Sequence, residues 1–430
     1  MPLSSALLQL QRQLYAVTPL QQGFLHFSAS AAASDPGLAW LAAQPFWPQF
    51  YWQAREGNET LIALGEVARA ETPAQAARLL KQLPAEGCLV GASEFALQRS
   101  YLFLPRLLWR RNRLNVFLYG DLYQQAQATL RMLSGLQPAG PLPALPACPS
   151  VCQHFPDEQG WHQSVALALQ AINAGELEKV VLARASDIRF SQRFSPASLL
   201  AASREVNHHC YHFLLAFTPR QAFLGSSPER LYHRQGLALK TEALAGTCEN
   251  SEDASEAAQW ARALLADEKN RHENGLVVED ICQRLHAVTL GLDVAPAQIV
   301  RLRKVQHLRR EIHATLRHPD DEQILQRLQP TAAVAGLPRK AASRFIGHHE
   351  PFSRNWYAGS VGWLSAEESE FSVALRSAWV EGHSVRFYAG AGIVAGSQAH
   401  LEWQEINHKA SGLAGLAGVE IAGGSCPKSN

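Results

Sequence analysis

The sequence predicts an α+β protein built from helices and largely antiparallel sheet. Runs typical of strands recur along the chain, for example K-V-V-L-A-R-A, H-F-L-L-A-F, V-A-L-R-S-A and S-V-R-F-Y-A-G. Several of them are separated by short turns, whereas a regular βαβ series would place a helix between successive strands. Long helices are predicted as well, at about 160–174, 252–288 and 400–417.

Residues 1–136 alternate short apolar strands with helices and are expected to form an N-terminal α+β region that packs on the core. The predicted strands are Q-F-Y-W-Q near 49–53, L-I-A-L-G-E-V at 61–67 and L-N-V-F-L-Y-G at 114–120, and the predicted helices are 73–83 and 121–135. Five prolines in residues 137–150 predict a linker. Residues 151–420 contain every chemical motif and are expected to form the catalytic region, and 421–430 a flexible tail.

Composition indicates a compact globular protein. The chain has 430 residues, 47% of them apolar and 18% charged, with 39 basic residues balanced by 38 acidic ones. A protein that binds nucleic acid or a membrane surface would normally carry a basic excess, so neither is an expected partner.

The cysteines and the N-terminus predict a cytoplasmic protein. Seven cysteines are scattered along the chain, and Cys148 and Cys152 lack the second pair that would complete a zinc site. Free thiols are typical of a reducing compartment. The first residues have the leucine spacing of an amphipathic helix rather than of a signal peptide, and no apolar run approaches the roughly 18 residues that a bilayer span needs.

Lys179 opens the strand K-V-V-L-A-R-A, whose alternate positions Val181 and Ala183 look core-facing. Either its side chain reaches solvent at the strand edge, or it is a desolvated amine that could serve as a general base. The strand pattern alone favours the first interpretation.

Glu229 lies in L-G-S-S-P-E-R-L, where Pro228 and the serines predict a tight turn. Two interpretations are open. Glu229 could form a surface pair with Arg230, worth less than about 1 kcal/mol, or it could be a carboxylic acid held rigidly at the edge of a pocket.

Glu273 continues an apolar stripe on its predicted helix, because Val277, Ile281 and Leu285 follow at four-residue spacing. A buried carboxylate without a partner costs several kcal/mol. We therefore expect Glu273 to be protonated, ion-paired or bound to a metal.

A second pair of carboxylates follows the glycine-rich strand Y-A-G-A-G-I-V-A-G, in E-W-Q-E-I-N-H-K. Helical spacing puts Glu402, Glu405 and Lys409 on one face. This face is either solvated and internally paired, or part of a site for an anion and a hard cation. With Glu273, an oxygen-only ligand set without a His/Cys cluster favours magnesium over zinc.

The segment G-A-G-I-V-A at 390–395 fits a dinucleotide-binding pattern. It lies too close to the C-terminus for the βαβ unit and the ribose-binding acid that should follow. Glycines that let a ligand approach backbone N–H groups explain it better.

Nine motifs occur in the order seen in chorismate-utilising enzymes, a family that includes anthranilate, aminodeoxychorismate, salicylate and isochorismate synthases. They are K-V-V-L-A-R, S-S-P-E-R-L, A-L-A-G-T, L-R-K-V-Q-H-L, Q-P-T-A-A-V-A-G-L-P, W-Y-A-G-S-V-G, A-L-R-S-A, Y-A-G-A-G-I-V and E-W-Q-E-I-N-H-K. The resemblance covers 151–417, and P-Q-F-Y-W-Q extends it toward the isochorismate synthases of menaquinone synthesis. It implies two largely antiparallel β-sheets packed as a layered core with helices outside.

The resemblance also implies residue roles. Lys179 is similar to the base that activates water for attack at C2 of chorismate, and Glu229 to the acid that protonates the departing C4 hydroxyl. Glu273 and Glu405 resemble Mg²⁺ ligands, with Glu402 beside them. Other positions match substrate-binding residues: Gly246, Thr247, His307, Tyr357, Arg376, Gly390, Gly392 and Lys409. The implied activity is a magnesium-dependent, reversible isomerisation of chorismate to isochorismate, the first committed step toward menaquinone.

Departures from the family pattern qualify these expectations. Relatives that use ammonia carry glutamine at the position of Lys179, so water is the expected nucleophile. Asn270 stands where relatives often have a glutamate, which leaves the outer metal shell open. No glutaminase segment or subunit is expected, and the protein should be a monomer or a weak homodimer. The alternatives are a salicylate synthase, an isochorismate synthase of a siderophore pathway, and a catalytically silent family member.

Overall fold

The computed structural model describes residues 3–31, 37–146 and 149–421. Its α-helices are α1 (Leu3–Tyr15), α2 (Gly37–Ala43), α3 (Pro73–Gln82), α4 (Leu122–Ser134), α5 (Glu158–Asn173), α6 (Pro196–Val206), α7 (Ala254–Ala266), α8 (Glu268–His286), α9 (Asp321–Leu328), α10 (Arg339–His349) and α11 (Ala399–Ala414). Its strands are β1 (Gln22–Ser30), β2 (Gln49–Gln53), β3 (Thr60–Ala70), β4 (Cys88–Ser93), β5 (Ser100–Arg110), β6 (Arg113–Asp121), β7 (Pro149–Phe155), β8 (Lys179–Phe190), β9 (Tyr211–Thr218), β10 (Gln221–Ser227), β11 (Arg230–Gln235), β12 (Ala238–Glu249), β13 (Thr289–Val294), β14 (Gln298–Arg301), β15 (Val305–Leu316), β16 (Gly336–Leu337), β17 (Ser360–Ser365), β18 (Glu368–Val373), β19 (Ser377–Glu381) and β20 (Ser384–Ile393).

The strand pairings in the described ranges are antiparallel, which confirms the predicted class. One series of neighbours runs β7-β8-β20-β19-β10-β9-β2, and a second runs β4-β17-β18-β11-β12-β15. Strands β3 and β5 pair with each other and with β2 and β4, respectively. The two expected sheets are therefore connected into one network of hydrogen bonds.

The two series face each other across an aromatic core. Trp52 of β2 meets Trp363 of β17 edge-on, with ring centroids 6.4 Å apart, and both side chains are fully buried. Tyr211 of β9 donates a 2.7 Å hydrogen bond from Oη to Glu370 of β18. The layered arrangement is thus held by apolar burial and by a buried hydrogen bond between the layers.

Strands from residues 1–136 belong to both series. Strand β2 pairs with β9, and β4 pairs with β17.

The proline-rich segment 137–150 has no helix or strand before β7 begins at Pro149, and residues 147–148 lie outside the described residues. Ile421 is buried, and the rest of the predicted tail lies outside the described residues. The division into domains stays a prediction.

The predicted single helix over 252–288 is wrong, because it is two helices that break at Asp267. The backbone of Asp267 is extended (φ −69°, ψ 120°), and its Oδ1 accepts a 2.8 Å hydrogen bond from the backbone N–H of Asn270. Asp267 therefore ends α7 and caps α8. The predicted helix at 400–417 is α11, which ends at Ala414 and is followed by a 3₁₀ turn over Gly415–Ala417.

Within the described parts of the chain, no helix has both the length and the apolar character to cross a membrane. Cys88, Cys210, Cys248 and Cys282 are free thiols.

Candidate active site

A cavity of about 140 Å³ lies between the two series of strands, and the predicted site residues converge on it. It is lined by Glu229, Gly246, Thr247, Glu273, His307, Tyr357, Arg376, Gly390, Gly392, Glu402, Glu405 and Lys409. Lys179 adjoins this lining, since its Nζ lies 2.8 Å from Glu273 Oε1. Residues separated by more than two hundred positions thus share one site.

Lys179 is completely buried at the first position of β8, so the interpretation in which it reaches solvent is wrong. Apart from its ion pair with Glu273, its Nζ has no hydrogen-bond partner among the described residues. Burial acts to raise the pKa of Glu273, but the charges of Lys179, Lys409 and Lys269, with the contact to Lys179, together outweigh burial and hold that pKa below its ordinary value. Glu273 is therefore ion-paired, one of the three states expected for it.

Glu229 lies in the turn between β10 and β11 and is 2% exposed. Of the two interpretations left open for Glu229, the surface pair with Arg230 is not formed, because the Arg230 guanidinium binds Glu56 and Glu370 instead. Burial, followed by the negative charge of Glu242, raises the pKa of Glu229 to about 8. At neutral pH its carboxyl group therefore holds a proton that it can donate.

The carboxylates of α11 are only partly consistent with a solvated helix face. Glu405 pairs with Lys409 at 2.5 Å, as i,i+4 spacing predicts, and Lys409 Nζ also donates to Gly390 O at 3.1 Å. Glu402, however, is buried and lies 3.4 Å from Lys269 Nζ. Burial and the nearby charge of Glu405 raise the pKa of Glu402.

As arranged in the described residues, no three His, Cys, Asp or Glu side chains form a ready-made metal cluster. Glu273, Glu402 and Glu405 each contact a lysine but line the same cavity. A cation held among them would relieve the repulsion that raises the pKa of Glu402. Oxygen-only donors suit Mg²⁺, so the residues present fit the predicted ion.

Other residues of the cavity lining offer donors for anionic groups. Arg376 Nη2 lies 3.2 Å from His307 Nε2, and His307 Nδ1 lies 3.1 Å from Thr247 Oγ1. Because a guanidinium can only donate, Nε2 accepts and Nδ1 carries the proton. Burial and the charges of Arg376 and Lys409 hold the pKa of His307 well below its ordinary value, so the imidazole is neutral.

Two asparagines of α8 support the cavity wall and were not predicted to do so. Asn270 Oδ1 accepts a 3.0 Å hydrogen bond from the backbone N–H of Thr247. Asn274 is buried and donates to the carbonyls of Ala243, Ala245 and Leu308. Polar residues with poor helix propensity, four positions apart on one helix, are the signal that could have indicated these contacts.

We expect Gly392→Ala to lower kcat strongly with little loss of folding. A Cβ at this position would lie 2.6 Å from Glu273 Oε1 and 3.0 Å from Lys179 Cε, so the ion pair would have to move. Steady-state kinetics of the activity that the family resemblance implies would measure the loss. Gly275→Ala on α8 is the matched control, because a Cβ there meets nothing within 4 Å. Equal activity of both variants would contradict the expected crowding.

A family model described as chorismate binding enzyme matches residues 93–416. The chain belongs to this family. The predicted resemblance to chorismate-utilising enzymes is thereby confirmed, and the match extends from the last residue of β4 to just beyond α11.

Similar proteins cover the chain almost completely. It is 49% identical to isochorismate synthase MenF of Escherichia coli over 97% of this chain and 99% of that protein. It is 40% identical to isochorismate synthase MenF of Haemophilus influenzae over 97% of each chain.

Solved structures show the same fold. The structure of MenF, the menaquinone-specific isochorismate synthase of E. coli, superposes with a TM-score of 0.93 and covers 96% of this chain and 99% of that one. Anthranilate synthase component I of Streptococcus pneumoniae, 19% identical, covers 92% of this chain and 93% of that one, and its TM-score of 0.66 shows a shared fold alone.

Proposed function

We propose that this protein is an isochorismate synthase, an isomerase that interconverts chorismate and isochorismate with Mg²⁺. The observation that carries the proposal is that a buried amine, Lys179, and a protonated acid, Glu229, border the same cavity. Relatives 49% and 40% identical over nearly their whole length are named isochorismate synthases, which supports the assignment.

The roles of the residues follow from the chemistry of an allylic substitution. The step requires Lys179 as an uncharged amine, so its ammonium must first lose a proton. Water then attacks C2 as this amine accepts the proton of the water, the ring double bond shifts, and the C4–O bond breaks. Glu229 gives its proton to the departing hydroxyl, which leaves as water. In the reverse direction the lysine and the glutamate exchange their roles as base and acid.

Binding and orientation are assigned to the other cavity residues. Arg376 and Lys409 offer positive charge to the substrate carboxylates, and Gly390 and Gly392 let the ligand approach the strand backbone. Glu273, Glu402 and Glu405 would hold Mg²⁺. Bound Mg²⁺ would supply positive charge to the ring carboxylate and favour loss of the C4 hydroxyl.

Incubation of the purified protein with chorismate and Mg²⁺, followed by chromatography, tests the proposal. We expect isochorismate, and the same final mixture when the reaction starts from isochorismate. Accumulation of salicylate and pyruvate would instead assign a salicylate synthase. Absence of any product would assign a catalytically silent member of the family.

Glu273→Gln should raise the Mg²⁺ concentration needed for half-maximal activity by about tenfold or more, because an amide is a weaker ligand than a carboxylate for a hard cation. Titrating activity with Mg²⁺ measures this. Glu279→Gln is the control, since Glu279 is exposed on the same helix. An unchanged requirement in Glu273→Gln would remove this residue from the metal ligands.

We further propose a cytoplasmic enzyme of menaquinone synthesis that works without a glutaminase subunit, as a monomer or a weak homodimer. The full-length similarity to a menaquinone-specific enzyme and the free thiols of Cys88, Cys210, Cys248 and Cys282 support this placement. A siderophore pathway remains the second candidate, since a vibriobactin-specific isochorismate synthase of Vibrio cholerae is 33% identical over 62% of this chain.

A further inference from the structure

We infer that Arg55 and Glu242 form a positioning pair that fixes the backbone on both sides of Glu229, and that Glu242 supplies the negative charge beside its carboxyl group. This inference rests on the proposed function, in which Glu229 is the catalytic acid. Neither member of the pair lines the cavity, and the pair joins the first 136 residues to the reaction site.

Arg55 belongs to the loop between β2 and β3, and its side chain is 6% exposed. Its Nη1 donates to Glu242 Oε1 at 2.6 Å, and its Nη2 donates to Glu242 Oε2 at 3.1 Å. Nη1 also donates to the carbonyl of Pro228 at 2.8 Å. The guanidinium thus forms a two-point ion pair and holds the peptide group that precedes Glu229.

Glu242 lies on β12 and is 2% exposed. Its Oε1 accepts a 2.8 Å hydrogen bond from the backbone N–H of Arg230. The pair therefore binds the backbone on both sides of Glu229: Arg55 binds the Pro228 carbonyl before it, and Glu242 binds the Arg230 N–H after it. The carbonyl of Glu229 itself accepts from the N–H of Val373 at 3.0 Å. The turn has little freedom to shift.

The same pair influences the protonation of Glu229 through charge. Burial and Glu242 favour the neutral acid, whereas Lys179, Lys409 and Arg55 favour the carboxylate. The remaining nearby cation, Arg230, is bound through its side chain to Glu56 and Glu370. Glu242 is the one negative group among the charges that act most strongly on Glu229. Without it, three cations would stabilise the ionised form, which cannot donate a proton.

The test of protonation is the pH dependence of kcat/KM for Glu242→Gln. Glutamine can still hydrogen-bond to Arg55 and Arg230 but carries no charge. Because activity requires protonated Glu229, we expect the alkaline limb to move to lower pH by about one unit, with the acidic limb unchanged. An unmoved alkaline limb overturns this part of the inference.

Asp321→Asn is the matched control. Asp321 forms a buried two-point pair with Arg234 at 3.0 and 2.7 Å, and it does not line the cavity. The same carboxylate-to-amide change there should leave the alkaline limb in place. An equal shift in both variants would mean that the limb reports general loosening of the fold, and would also overturn the inference.

The test of positioning is Arg55→Lys, which keeps the charge but cannot hold both Glu242 oxygens and the Pro228 carbonyl in fork geometry. We expect kcat to fall about tenfold with KM and the alkaline limb near their wild-type values. An unchanged kcat overturns positioning, and this variant decides the matter if Glu242→Gln does not fold. All comparisons are made against wild-type protein that forms isochorismate; a wild type that forms none would refute the proposed function instead.

Discussion

Replacing Lys179 with alanine should lower kcat for the conversion of chorismate by about 10³-fold or more, because the change removes the group that accepts the proton of the attacking water. Lys179 is fully buried beside the cavity, and no other described side chain replaces its contact with Glu273. A time course of product formation over several hours, analysed by chromatography, would measure the residual rate.

Binding and folding must be measured in parallel, since the variant leaves Glu273 without its ion-pair partner. Circular dichroism and calorimetric titration of chorismate in the presence of Mg²⁺ should show a folded protein that still binds. Lys179→Gln provides a second comparison, because its amide can still donate to Glu273 but is not a base. Substantial turnover by either variant would reject the assignment of Lys179 as the base.

Glu229→Gln should lower kcat by about 10²- to 10³-fold, because glutamine fits the same turn but its amide is too weak an acid to protonate the leaving hydroxyl. In the wild type, the pKa of Glu229 is raised to about 8, so its acid form predominates below that pH and is lost above it. Forward activity should therefore fall as pH rises through about 8. Comparing the pH profiles of kcat/KM for the wild type and for Glu229→Gln would show whether this alkaline limb depends on residue 229.

Glu370→Gln is the control for this experiment. Glu370 is also a buried glutamate whose pKa is raised by burial, but it lies outside the cavity lining. Its variant should keep the wild-type alkaline limb. Retention of that limb in Glu229→Gln would mean that another group supplies the proton.

Patterns in the sequence predicted the environment of some site residues better than others. The apolar stripe at Val277, Ile281 and Leu285 correctly predicted an inward position for Glu273, which lines the cavity and pairs with buried Lys179. For Lys179 and Glu229, local patterns left a surface interpretation open, and only the family resemblance favoured the site. Their burial comes from strands distant in sequence, and local spacing contains no information about such contacts.

Residues that act through long-range contacts were missed for the same reason. Arg55 and Glu242 are 187 positions apart, and nothing in either segment indicates the other. The break at Asp267 was different, since D-E-K-N is a recognisable helix start. Helical patterning continues on both sides of this cap, and that continuity predicts one helix where the structure has two.

Strand β2 is inserted between β3 and β9, and β4 lies between β5 and β17. Deletion of the first 136 residues would therefore remove the hydrogen-bonded neighbours of β9 and β17 and expose the edges of these two strands. Exposed strand edges of this kind invite association with other chains. We expect such a truncated fragment to aggregate rather than fold, and the intact chain to melt in a single cooperative transition.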